Sequence, residues 1–270
     1  MTLAGIFLYP VKSLRGFAVD SAELDGLGLV GDRRFLVVDD QGQFLTQRAL
    51  PAMARIATAL ERGNLILRNP AHGSAAVALA ESGPECTVQV WRDTVTAEDC
   101  GVEVAVWLSD FLRHPCRLVR IGKNFSRPVT KPAAQPGDAY TFADGAPLLG
   151  VSEASLANLN DRILERGGEP VPMDRFRPNL VFTGGTAFAE DEGNGFKIGG
   201  VTLRSAGRSE RCIMTTTDQK TGERGKEPLR TLATFRRHPD DPGRVYFGQN
   251  LINASKSGTI RVGDTVTPLA

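Results

Sequence analysis

Nine short runs rich in β-branched and apolar residues recur along this chain: IFLYPV, RFLVVD, LILRN, AAVAL, TVQVW, RLVRI, NLVFTG, VTLRS and TIRVGD. Gly, Pro, Asn and Asp punctuate them at intervals of roughly ten residues, a spacing that suggests sandwiches or barrels. Two helical patterns interrupt the series. Val104, Trp107, Leu108, Phe111 and Leu112 fall at i, i+3, i+4, i+7 and i+8, one face of a helix that Pro115 stops. Ser152 is placed to cap a second helix, whose face is Leu156, Leu159, Ile163 and Leu164 and which ends at Gly167-Gly168. Between them SRPVTKPAAQPGD, residues 126–138, carries Pro128, Pro132 and Pro136. It reads as an inter-domain linker or an ordered cleft loop. The predicted fold class is mainly β with a few helices (α+β).

Composition bounds the function. At 41% hydrophobic and 23% charged, the 270 residues have the profile of a soluble globular protein with one large or two medium domains. Lys plus Arg is 32 and Asp plus Glu is 31, a net charge of +1, so nothing asks for nucleic acid or an anionic membrane. Aromatics at 7% weaken a base-stacking surface further. The cysteines are Cys86, Cys100, Cys116 and Cys212. No two form a CxxC pair, and they are too sparse for a disulfide scaffold. The N-terminus, MTLAGIFLYPVKSLRG, lacks a basic region followed by a long apolar one, and no stretch approaches about eighteen continuous apolar residues. The expectation is a cytoplasmic protein with free thiols. The three histidines, His72, His114 and His238, sit in no motif, so a Ser-His-Asp set is not indicated.

Cys212 is the unusual cysteine. It lies in RSERCIMTTTDQKTGERGKEPLRTL, a polar and charged stretch, with Arg211 beside it and Arg208 four residues before it. A thiolate, not a thiol, ligates a metal or attacks an electrophile, and nearby cations favour it. A buried cysteine acting as a small hydrophobe is the commoner case, and it suits Cys86, Cys100 and Cys116. A second cluster of residues changes the balance. YPVKS places Lys12 and Ser13 at a strand end, GDRRF places Arg33 where a turn becomes a strand, and DRFRPN places Arg175, Arg177 and Asn179 at a third such junction. A point charge, a two-pronged fork and a hydroxyl donor are what a phosphate oxygen needs. Each set alone also describes a solvated turn.

Taken together, in this order, the blocks resemble the MOSC superfamily (molybdenum cofactor sulfurase C-terminal domain), and within it the branch that reduces amidoximes and other N-hydroxylated compounds. The blocks are YPVKSLRG with GDRRFLVVD, LLGVSEASLANLN, DRFRPNLVFTG, RCIMTTTDQKTGERGKEPLRTL and TIRVGDTV, and they span nearly the whole chain. The resemblance implies two barrel-like domains with a cofactor cleft between them, residues 1–125 and 126–270, the first strands possibly packing with the second domain. It implies the molybdenum cofactor (Mo-molybdopterin), with Cys212 as the protein thiolate on the metal. It places Lys12, Ser13 and Arg33 on the pterin phosphate and Arg177 and Asn179 along the pterin, with Arg211 beside the thiolate. A soft thiolate suits such a metal. Relatives often carry a second cysteine where this chain has Ser209. Asp218, in TTDQKTG, reads as a turn residue, the alternative being a residue that supports the ligand-holding groups. The implied activity is reduction of N–OH to N–H by oxygen-atom transfer to the metal. Bacterial relatives often append a ferredoxin-like domain; without one, electrons are expected from a separate redox protein, such as a ferredoxin with its reductase. The alternative is a non-catalytic carrier of the cofactor or of sulfur.

Overall fold

The structure is a computed structural model that describes residues 1–269. It is mostly β. The main sheet has eight strands, in the order Val266–Leu269, Gly195–Ile198, Val201–Arg211, Val245–Asn253, Leu148–Ser152, Leu180–Thr183, Thr2–Leu8 and Phe17–Val19. The first strand of the chain therefore lies in a sheet built mainly from the second half. Thr2–Leu8 pairs antiparallel with Leu180–Thr183, so Ile6 faces Leu180. The pairing is enforced by burial: Leu3, Ile6 and Leu8 share a core with Phe182, Phe196, Leu203 and Leu251.

A second body is made from the chain between these strands. Phe35–Val38, Arg117–Arg120, Asp93–Asp99 and Glu85–Val90 form a four-stranded sheet, and Ala57–Glu61, Asn64–Asn69 and Gly73–Ala78 form a three-stranded one. A small fourth sheet joins Gly258–Arg261 to Ser21–Asp25 and Gly28–Leu29, and its Leu24, Leu29 and Ile260 pack in the first core. Helix α1, Val102–Leu112, buries Val104, Leu108 and Leu112 against Phe35, Val37, Leu65 and Leu118, the face its spacing predicts. Helix α2, Glu153–Glu165, is capped by Ser152, whose side chain accepts from the backbone of Ala154 and Ser155. Its Leu159 and Ile163 pack on Phe176, Leu232 and Phe247.

Some elements escape a reading of periodicity. All five residues of Leu148–Ser152 are buried, so the strand has no alternation. In Val245–Asn253 the buried positions include Gln249, Asn250 and Asn253, which look like loop residues in sequence. Helix α3, Leu229–Phe235, has seven residues and no side-chain cap, too little signal to register. The proline-rich stretch 126–138 is a packed loop. Arg127 is buried, donates to the carbonyls of Thr141 and Ala143, and pairs with Asp93 at 2.7 Å. Of the three cysteines expected to be core, Cys116 is buried, while Cys86 and Cys100 are half-buried at the edges of clusters.

Candidate functional site

Strand ends from both bodies converge on one cleft of about 700 Å³. Lys12 and Ser13 follow the strand Thr2–Leu8, Arg33 precedes Phe35–Val38, Arg177 and Asn179 precede Leu180–Thr183, and Arg211 ends Val201–Arg211 with Cys212 next in the chain. All seven line the cleft. The chain's net charge of +1 hides how the charge is distributed: eleven Lys and Arg side chains line this cleft against three carboxylates, Asp93, Asp144 and Glu210. His72, His114 and His238 are not among its lining residues.

Several of these residues hold uncommon backbone. Ser13 has φ 66°, Arg33 47°, Trp91 58° and Arg177 54°, so four of the seven described non-glycine residues at positive φ line the cleft. Such conformations persist only where the surroundings over-determine them, and they cluster at functional sites. The irregular strand Val201–Arg211 contributes in another way. Its register against Val245–Asn253 shifts between Ser205 and Arg208 and again between Arg208 and Glu210. Bulges of this kind re-aim side chains at sheet ends.

The side chains divide into those engaged by the fold and those left free. Arg33 Nη1 donates to Asp32 Oδ2 at 2.6 Å and to Asn179 Oδ1 at 2.8 Å, and its Nη2 donates to the Arg177 carbonyl. Asn179 in turn donates to the Phe7 carbonyl and accepts from the Leu149 amide. Tyr9 lies between the guanidinium groups of Arg33 and Arg177, 4.4 and 4.3 Å from its ring centre, and burial pushes its phenol up to about 12. Lys12 Nζ donates to the Phe142 carbonyl at 2.8 Å and pairs with Asp144. Burial lowers its ammonium to about 8, against the opposing pull of Asp144. Arg211 donates to Ser209 Oγ and to the Phe176 carbonyl, and enclosure lowers it to about 10 despite the favourable neighbour Cys212. By contrast, Ser13 Oγ, Arg175 Nε and Arg211 Nε are buried without a hydrogen-bond partner. Buried polar atoms are almost always satisfied, so these three, on residues that line the cleft, are donors that a ligand can engage. Cys212 is exposed. Its carbonyl accepts from the backbone and hydroxyl of Thr215, both at 3.0 Å, which anchors the backbone and leaves the thiol to the cleft.

The donor set suits an anionic group carrying a soft metal: hydroxyl, ammonium and guanidinium donors at one part of the cleft, a thiol at another. Motif reading missed Arg48, Trp91 and Asp144. Trp91 Nε1 donates to Asp144 at 2.8 Å, and Arg48 lies 4.4 Å over the Trp91 ring. The Asp-Gly of AYTFADGAP is the one local signal, and it reads as an ordinary turn. Asp218 is a turn residue, accepting from the amides of Lys220 and Thr221, and it also pairs with Arg175 at 3.2 Å.

The model of the MOSC N-terminal beta barrel domain matches residues 1–115, and that of the MOSC domain matches residues 137–267. Mitochondrial amidoxime reducing component 2 of Bos taurus is 34% identical, over 98% of this chain and 82% of that protein. Mitochondrial amidoxime-reducing component 1 of Homo sapiens is 33% identical over the same shares. Molybdenum cofactor sulfurase of Oryza sativa subsp. japonica is 33% identical over 91% of this chain but only 32% of its own length. The YUAD protein from Bacillus subtilis overlays with a TM-score of 0.37 at 11% identity, over 98% of this chain and 93% of that one, too distant to carry an argument. The expectation of a cytoplasmic location is corrected by these relatives, since the two amidoxime-reducing components are named as mitochondrial. The cytoplasm was inferred from an N-terminus without a secretory pattern and from sparse cysteines, and neither feature specifies a compartment. Among the described residues no helix is long and apolar enough to cross a membrane. With both domain models matched and relatives at a third identity over nearly its whole length, the chain belongs to the MOSC-domain family.

Proposed function

We propose that this protein binds the molybdenum cofactor and reduces N-hydroxylated compounds, converting N–OH to N–H with electrons from a separate redox protein such as a ferredoxin with its reductase. The observation that carries this reading is the pairing, in one basic cleft, of an exposed thiol at Cys212 with an unpartnered buried hydroxyl at Ser13. Near full-length similarity to proteins named for amidoxime reduction supports the substrate class.

The residues divide the work. Lys12, Ser13 and Arg33 would hold the phosphate end through a point charge, a hydroxyl donor and a planar fork, with Arg177 and Asn179 along the pterin. Arg33 also braces Asn179 and the Arg177 carbonyl. Cys212 would supply the thiolate ligand, with Arg211 beside it to offset its charge. Bound there, the cofactor would supply two-electron chemistry at the metal, which no side chain in the cleft provides.

A carrier of the cofactor or of sulfur is the second reading, favoured by the similarity to the rice sulfurase. One experiment separates the two. Protein purified from a host that makes molybdopterin is expected to hold molybdenum near one per chain. Reduced methyl viologen should then drive an amidoxime to its amidine, NADH alone should not, and nitrate should react poorly. Molybdenum-loaded protein that turns over no N-hydroxylated compound with viologen supports the carrier instead.

A further inference from the structure

Behind the cleft wall, two glutamines distant in sequence meet face to face. Gln47 Nε2 donates to Gln219 Oε1 and Gln219 Nε2 donates to Gln47 Oε1, both at 3.0 Å. Both residues are buried, and neither lines the cleft. Gln219 Nε2 also donates to the Thr217 carbonyl, and two further bonds reach residues that do line the cleft. Gln47 Nε2 also donates to the Ser13 carbonyl at 2.7 Å, and Arg177 Nη1 donates to Gln219 Oε1 at 3.4 Å. Ser13 and Arg177 are two of the residues at positive φ, conformations that need support from their surroundings. The pair also joins separate parts of the chain. Gln47 follows the strand Phe35–Val38, whereas Gln219 lies in the segment that begins at Cys212. Arg224, from that same segment, donates to the carbonyls of Gln47 and Arg48 at 2.6 and 2.7 Å.

We propose that the Gln47–Gln219 amide pair is a positioning element of this site: it sets Ser13 and Arg177 to receive the anionic cofactor and ties the Cys212 segment to the body that carries Gln47. The inference rests on the cofactor reading above. A neutral, directional pair suits the place. It satisfies two buried amides without adding charge beside Arg177, whose guanidinium burial already lowers to about 10. Neither glutamine touches the ligand, so the pair acts through Ser13 and Arg177.

Retention of pterin provides the test, because it is read without turnover. Protein loaded in a molybdopterin-making host is dialysed well below its melting temperature, and bound pterin and molybdenum are followed over time. Gln219→Leu and Gln47→Leu are each expected to lose pterin on the order of tenfold faster than the parent protein. The double variant should be no worse than either single change, as for two residues acting as one unit. Gln219→Glu keeps an acceptor for Gln47 and Arg177 but loses the donor to Gln47 Oε1 and the Thr217 carbonyl, so its pterin loss should fall between those of Gln219→Leu and the parent. A purely structural role would move the melting temperature without this pattern of loss and rescue. If the leucine variants do not fold, Gln219→Asn replaces them, since its amide is a methylene too short to meet Gln47. Parent-like retention in the leucine or asparagine variants overturns the proposal, as does loss from Gln219→Glu as fast as from Gln219→Leu. A parent protein that never holds pterin overturns the cofactor reading and this inference together, an outcome distinct from either.

Discussion

Ser13 and Lys12 show, residue by residue, how holding a ligand differs from holding the fold. Lys12 and Arg33 are both built into the structure, through Phe142, Asp144, Asp32 and Asn179, so removing either disturbs more than a binding site. The Ser13 hydroxyl has no hydrogen-bond partner among the described residues. Ser13→Ala should therefore leave the melting temperature within about 2 °C while weakening cofactor binding on the order of tenfold or more, the equivalent of one charge-assisted hydrogen bond of ~1.5–3 kcal/mol. Pterin content against thermal melts checks this, and normal occupancy in the variant would place the phosphate elsewhere. Cys212→Ser should do the opposite of a phosphate-site change, abolishing viologen-driven turnover with pterin largely kept. Lys12 adds a pH signature. Burial lowers its ammonium to about 8, so the cofactor-free protein loses this charge as pH rises through that value. Uptake of the anionic cofactor should fall above pH 8. A Lys12→Arg variant, charged throughout, should not show that fall even if its overall uptake is lower.

At the level of elements, the sheet ends carry the site and helix α2 supports one of them. Its first turn is held by two groups. Ser152 caps it, and the buried carboxylate of Glu190 accepts from the Ser152 amide at 3.1 Å and the Ser155 hydroxyl at 2.8 Å. Burial raises the Glu190 carboxyl above the usual carboxylate range despite these bonds. A carboxyl raised in the folded state binds its proton there before it does in the unfolded chain. Its charge therefore costs stability at neutral pH, and the cost fades as pH falls through the raised value. Glu190→Gln, which keeps the shape and an acceptor, should melt higher than the parent at neutral pH, with the difference closing on acidification. Parallel melts across that range decide it, and a difference that grows at low pH would contradict this account.

For the whole molecule, charge is nearly balanced in sum and strongly separated in space. A chain of net charge +1 concentrates eleven cations and three carboxylates on one cleft. The field of such a cleft draws anions, and salt screens it: the Debye length falls from about 10 Å at 0.1 M to about 3 Å at 1 M ionic strength. Inorganic pyrophosphate should compete with cofactor loading at low ionic strength and lose that effect at high salt. Competition that ignores salt would mean that contact hydrogen bonds, not the field, govern capture.

What could be read from the chain alone was local. Turn residues every ten or so positions signal a strand-rich fold, and a 3.6-residue period with Ser152 and Pro115 marks helices α1 and α2. The position of Cys212 in a polar stretch, and of Lys12, Arg33 and Arg177 at strand ends, is equally a property of neighbouring residues. The strands Leu148–Ser152 and Val245–Asn253 were not legible, because burial on both faces erases the alternation that identifies a strand. Nor was the division of labour within the site. Lys12 meets Asp144 from 132 positions away, Arg33 meets Asn179 from 146, and Gln47 meets Gln219 from 172. Whether a side chain is engaged like Asn179 or left waiting like Ser13 depends on which groups the closed cleft removes from water and which it pairs. Only the folded chain brings those groups together, so only the tertiary structure decides it.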